Sequence, residues 1–212
     1  MRIDSALPLR VNAAFVDLGC QGAGSAGPSG WRSNAVGMPL ADTYYPDPLV
    51  VARGGRRVDS GSAELELRFN SEIGNLACFQ GIVPDGFWYG LDRHAPAPLT
   101  AYSFLELAIH EFAHGLGFIG LLQDDGSMPN GFAHFDAFSR NLYGRSRQQP
   151  LHALSPAQAA AALAQRDEVV WDGTAVKERL AEALGRPREV RAIVAGATAS
   201  WPAFSHEFLP FR

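Results

Sequence analysis

An α+β domain is the fold class this chain predicts, with a mixed sheet packed on one central helix and further helices behind it. Three observations carry that expectation. Strand-like alternation is confined to the first third, as in Ala63-Glu64-Leu65-Glu66-Leu67-Arg68-Phe69. One long apolar helix pattern comes next, from Ala101 to Leu116. Helix starts dominate the remainder, the clearest being Ser155-Pro156.

Taken in order, Leu9 to Leu18 reads as a strand with Leu9, Val11, Ala13 and Phe15 on one face. Residues 20 to 30 are rich in Gly, Ser and Ala and read as a loop, continued by a proline-studded irregular stretch to Pro48. Ala63 to Phe69 places Ala63, Leu65, Leu67 and Phe69 on one side, with Glu64, Glu66 and Arg68 on the other, the pattern of a half-exposed strand. Leu76 to Val83 has the length and apolarity of another strand, and Gly81 to Pro98 is a turn-rich connection. After the central helix, Gln123 to Gly131 is a polar loop and Phe132 to Tyr143 resumes helical periodicity. Ser155 is an N-cap with proline at the first helical position, opening a helix to about Arg166. Thr174 to Leu184 is a third helix, and Glu189 to Ala195 a final strand. The domain organisation expected is a catalytic-type domain over 1–150 and a largely helical part over 151–212.

Composition narrows the function classes. A chain of 212 residues fits one domain, or one and part of a second. An apolar share of 47%, with 13 Phe and 4 Trp, is ample for a packed core. The net charge of −4 and the lack of a basic stripe argue against a nucleic-acid partner. Arg53-Gly54-Gly55-Arg56-Arg57 is the densest positive cluster and reads as a solvated turn. No run approaches the roughly 18 apolar residues of a membrane span, and Met1 to Arg10 lacks the apolar core of a signal peptide. Neither cysteine, Cys20 nor Cys78, belongs to a C-x-x-C pair, so thiolate metal ligation is not expected. A structural disulfide in an oxidising compartment and two free thiols both remain open.

The central helix carries the chemistry. His110-Glu111-Phe112-Ala113-His114 reads H-E-x-x-H, and in a helix the two imidazoles stand one turn apart on one face, where they can share a Zn²⁺ ion. Glu111 then lies beside the metal, placed to act as general base on a water. Ser103-x-x-Glu106 has the form of a capping box just before the apolar run, and Gly115 or Gly117 ends the helix. At about 100° per residue, Ser103, Glu106, His110 and His114 fall within an arc of roughly 80°, with Glu111 on its flank. The other positions are apolar, which predicts a helix buried on most sides whose single polar stripe holds the motif. Two imidazoles and two carboxyl groups on such a helix would cost several kcal/mol without partners, and a metal at an open cleft supplies one.

A catalytic zinc takes three protein ligands and leaves one position open. In the extended pattern H-E-x-x-H-x-x-G-x-x-H the glycine lets a third histidine swing under the metal. Gly117 fits that pattern here, but Gly120 stands where the histidine should be. No glutamate lies between Glu111 and Glu168, so a glutamate ligand on a following helix is not available either. His134, Asp136, His152 and His206 are the remaining candidates, with His152 reading as a surface loop residue. The half-exposed strand Ala63 to Phe69 is the candidate edge for an extended substrate.

The stretch Thr100 to Gly120 resembles the active-site helix of leishmanolysin-like metzincins, in which the third histidine comes from a distant segment. A more extensive resemblance, from Pro8 to about Lys177, is to secreted bacterial zinc-protease-like proteins that carry an inserted protease-associated domain. It rests on Arg68-Phe69-Asn70-Ser71-Glu72-Ile73-Gly74, Trp88-Tyr89-Gly90-Leu91-Asp92, the motif helix, Phe135-Asp136-Ala137-Phe138 and Val169-Val170-Trp171-Asp172-Gly173. The resemblance implies a metzincin-like fold, a zinc endopeptidase acting on protein or peptide substrates, and export to the periplasm or beyond with Cys20 and Cys78 paired. It also implies a third zinc-binding histidine, matched by His206 in Ser205-His206-Glu207, with Asp136 as a brace. The chain departs from the family in having no methionine after His206 and at most a stub of the inserted domain. A shortened natural variant and a chain truncated at both ends would each give that pattern.

Overall fold

In a computed structural model, residues 5–80, 83–91, 98–165, 167–174, 177–178 and 190–191 are described. The first elements are β1 (Val11–Val16), β2 (Gly24–Pro28), β3 (Trp31–Ser33), β4 (Tyr44–Pro46) and α1 (Asp47–Gly54). Next come β5 (Leu65–Asn70), α2 (Ala77–Gln80), β6 (Phe87–Trp88), β7 (Tyr102–Ser103) and the motif helix α3 (Phe104–Gly115). The chain continues through β8 (Leu142–Gly144), β9 (Gln149–Pro150), α4 (Pro156–Leu163), β10 (Val169–Trp171) and β11 (Val190–Arg191). The class is α+β. It divides into two compact units that interleave along the sequence.

The unit holding the motif comprises Leu9–Ser29 and Gly61–Leu116 among the described residues. Its sheet has the order β1-β5-β2, with β1 parallel and β2 antiparallel to β5. Leu65, Leu67 and Phe69 of β5 are buried while Arg68 is exposed, so the alternation read in the sequence is real. Glu64 departs from it. Its carboxylate is buried under Arg10, which donates to it from the backbone N at 2.6 Å and from Nη2 at 2.8 Å, pinning β1 to the start of β5. The core gathers Ala23, Leu67, Phe69, Ile73, Val83 and Leu107, with Phe104, Ala108 and Phe112 of α3 packed on it. This is the sheet-on-helix packing the sequence predicts.

Several elements differ from expectation. Residues 20 to 30 are not all loop, because Gly24–Pro28 pairs along β5 as β2. Leu76 to Val83 contains the short helix α2 rather than a strand. A short apolar run bounded by turns is ambiguous between the two, and the Cys20–Cys78 bond fixes α2 where it is. Ala63 to Phe69 is not an edge: β5 is hydrogen-bonded on both sides and cannot accept another strand.

The second unit comprises Gly30–Ser60 and the described part of Gly117–Ala197, with residues 5–8. A sheet of order β11-β10-β8-β9 packs with α4 around Leu142, Leu151, Ala162 and Val169. Ser155 caps α4 through a complete capping box with Gln158, and Pro156 takes the first turn, as the sequence predicts. Phe132 to Tyr143, read as a helix, is instead a loop, a 3-10 turn at Ser139–Asn141 and the start of β8. Asp136 explains the change: Oδ1 accepts from the backbone of Phe138 and Ser139, each at 2.9 Å, which favours a tight turn over a continuing helix. Strand β10 adds sheet to a stretch expected to be largely helical. The expected helix over Thr174 to Leu184 lies mostly outside the described residues, as does the strand over Glu189 to Ala195 apart from β11.

Candidate metal centre

Helix α3 is fixed at both ends before its motif begins. Its entry is β7, paired in parallel with β6, and the side chain of Ser103 accepts from the N–H of Glu106 at the N-cap. Phe104, the first helical residue, is ringed by Phe69 at 4.8 Å, Tyr89 at 5.2 Å, and Phe15 and Phe87 at 5.6 Å between centroids. At the other end Gly115 lies directly on Leu65, where an added Cβ would fall 2.4 Å from Cδ2. A side chain there would push the helix off the sheet. The helix is less enclosed than expected: Ile109 is 50% exposed, and the buried line runs through Leu107, Glu111 and Gly115.

Within that frame, the imidazoles of His110 and His114 converge. Their Nε2 atoms are 3.0 Å apart and their rings stand almost perpendicular, at 89°. The 3.0 Å separation is a hydrogen-bonding distance between the two rings, and two nitrogens on one tetrahedral ion at about 2.0–2.1 Å would stand about 3.3–3.4 Å apart, so a small ring movement would let the pair take two positions of a zinc site. Burial, and then the neighbouring His114, pull the pKa of His110 down, favouring the neutral form a ligand requires. Glu111 is only 2% exposed, on the buried line of the helix rather than on the flank of its polar stripe. Burial is the single cause that pushes its carboxyl pKa up, to about 7.

Strand β2 closes over this carboxyl group. A Cβ on Gly24 would lie 3.0 Å from both Cγ and Oε1 of Glu111, so the strand approaches this closely because residue 24 has no side chain. The far edge of β2 pairs with no other strand among the described residues. Sequence reasoning missed this contact, and a glycine within a strand-length segment was its one available signal.

The other candidates lie elsewhere. Asp136 is fully buried in the second unit, its Oδ2 accepting from Leu121 N at 2.9 Å and its Oδ1 from the 3-10 turn beside it. That makes it a brace for its own loop. His134 stands 3.7 Å from Asp42 and beside the ring of Tyr44. His152 is not a surface loop residue: it is half-buried in a 3-10 turn against Phe135, and burial, then the charge of Arg140, lower its pKa. His206 lies outside the described residues. Among the described residues no three His, Cys, Asp or Glu side chains are grouped to hold a metal. Gly120 has a packing reason: a Cβ there would sit 2.8 Å from Ser139 Oγ and 3.2 Å from Phe138, leaving no room for a histidine.

Cys20 and Cys78 form a disulfide. Among the described residues, no helix is long and apolar enough to cross a membrane. Comparison with protein-family models, curated proteins and solved structures finds no match.

Proposed function

We propose that the chain is a zinc-dependent endopeptidase of the metzincin-like, leishmanolysin-related kind, exported and acting on protein or peptide substrates. The supporting observation is the convergence of His110 and His114 beside a buried carboxyl group whose pKa has been moved to the neutral range. His110 and His114 would supply two zinc ligands, and His206 is the candidate for the third. Bound there, zinc would supply Lewis acidity toward a peptide carbonyl and an attacking water. Glu111 is the residue that would take a proton from an attacking water and return it to the departing amine. In the metal-free protein burial holds this carboxyl group up at about 7, and a dication beside it would favour the carboxylate form that accepts the proton. The edge of β2 that pairs with no strand among the described residues, beside Glu111 at Gly24, replaces Ala63 to Phe69 as the edge on which an extended peptide would lie. The Cys20–Cys78 bond supports an oxidising compartment, periplasmic or extracellular.

Replacing Glu111 with Gln tests the chemistry. Casein hydrolysis should fall by about 10²–10⁴-fold while bound zinc stays at the wild-type level. A Glu111→Gln protein that still hydrolyses casein at the wild-type rate would rule out the assigned base. A second reading, a non-catalytic relative with an incomplete zinc site, rests on Gly120 standing where the close third histidine would fall, at a position packed against Ser139 and Phe138. Zinc-loaded wild type without activity on any peptide would support it.

A further inference from the structure

We propose that Asn70 is a positioning residue for hydrolysis, gripping the turn that feeds β2 and so setting the strand edge beside Glu111. The proposal rests on the endopeptidase reading and names the part of the fold that aligns long substrates. Asn70 ends β5 and is fully buried. Its backbone N–H donates to Ala23 O at 2.9 Å. Its carboxamide Nδ2 donates to Gly19 O at 2.8 Å and to Gly22 O at 2.9 Å. Its Oδ1 accepts from Glu72 N at 3.0 Å and, more weakly, from Leu18 N at 3.4 Å. Both donors and both lone pairs of the side chain are therefore engaged, four of the bonds from this residue going to the short crossing between β1 and β2.

Gly24 comes directly after that crossing, and it is the residue in contact with Glu111. Cys20 sits within the same turn, tied to Cys78 on α2. A side-chain clamp and a covalent clamp thus hold one turn. An exposed polar turn would be satisfied by water, so a buried asparagine that gives three of its four side-chain bonds to this turn is better explained by a need to fix strand β2 in place. A peptide paired along β2 would feel a displacement of this turn. A substrate too short to reach the strand would not.

The test compares Asn70→Asp, which keeps the size and the two accepting contacts but loses both donations, with a Cys20→Ser/Cys78→Ser variant and their combination. Each is assayed on a peptide of about eight residues and on a blocked tripeptide, with bound zinc measured in every sample. For the long peptide, Asn70→Asp should raise KM roughly tenfold, against less than about threefold for the tripeptide, with zinc unchanged. The combined variant should be little worse than either alone, since both act through one turn. Amide exchange should quicken over residues 18–26 and stay unchanged in α3. Equal losses on both substrates, or no loss on either, would overturn the positioning role while leaving the endopeptidase reading intact. Zinc-loaded wild type that cleaves neither peptide would overturn both together.

Discussion

Glu111 is buried at a cost that depends on pH. An unfolded carboxyl group titrates near 4.5 and the folded one near 7. Below about pH 4.5 both states hold the proton and the group contributes no penalty. As pH rises through this window the unfolded chain releases a proton that the native state keeps, and stability is lost until the folded group also ionises. The displacement corresponds to about 3 kcal/mol. Glu111→Gln should therefore unfold at higher urea than wild type above pH 7, in metal-free protein with a chelator present. The two should coincide near pH 4. Parallel curves across the whole range would mean that the carboxyl group is not held neutral by burial.

Strand β2, helix α3 and β5 meet through two glycines. Gly115 lets the helix rest on Leu65, and Gly24 lets β2 rest on Glu111. Gly24→Ala should disturb the base more than the fold: stability should fall by about 1 kcal/mol, and kcat/KM by about tenfold. Urea midpoints beside peptide kinetics would check both, and a fully active Gly24→Ala would separate the strand from the chemistry. Helix α3 was legible in the sequence because a capping serine, a 3.6-residue apolar period and terminal glycines all point the same way. Strand β2 was not, since Gly24-Ser25-Ala26-Gly27-Pro28 has neither alternation nor β-branched residues. Its pairing is imposed by β5 and by the nearness of Glu111. The edge role given to Ala63 to Phe69 failed for a related reason: alternation reveals which face is buried, but strand order depends on partners far away in the chain. Asn70 did not stand out in the sequence, because a buried clamp and a surface turn residue look the same in one dimension.

Among the described residues, two small cores stand in place of the single one that composition allows. The disulfide joins two residues of the motif unit at a sequence separation of 58, and the loop it closes also contains Gly30–Ser60 of the second unit. Loop-closure entropy for that length is about 4 kcal/mol, an upper figure because unfolded chains retain structure. Reduction with dithiothreitol should lower the urea midpoint accordingly, and an unchanged midpoint would mean that the packing around Phe69 and Leu107 already suffices. The site shows the same division of legibility. His110, Glu111 and His114 are local to one helix and could be read directly, whereas the strand covering Glu111 comes from a segment more than 80 residues earlier.

Zinc content of the purified chain after exhaustive dialysis, beside His110→Ala and His114→Ala, addresses the metal centre itself. One tightly held zinc per wild-type chain, lost from both variants while their far-ultraviolet circular dichroism is retained, is the expected result. Wild type that takes up no zinc under any loading condition, or variants that bind it as well as wild type, would contradict a metal centre on this helix.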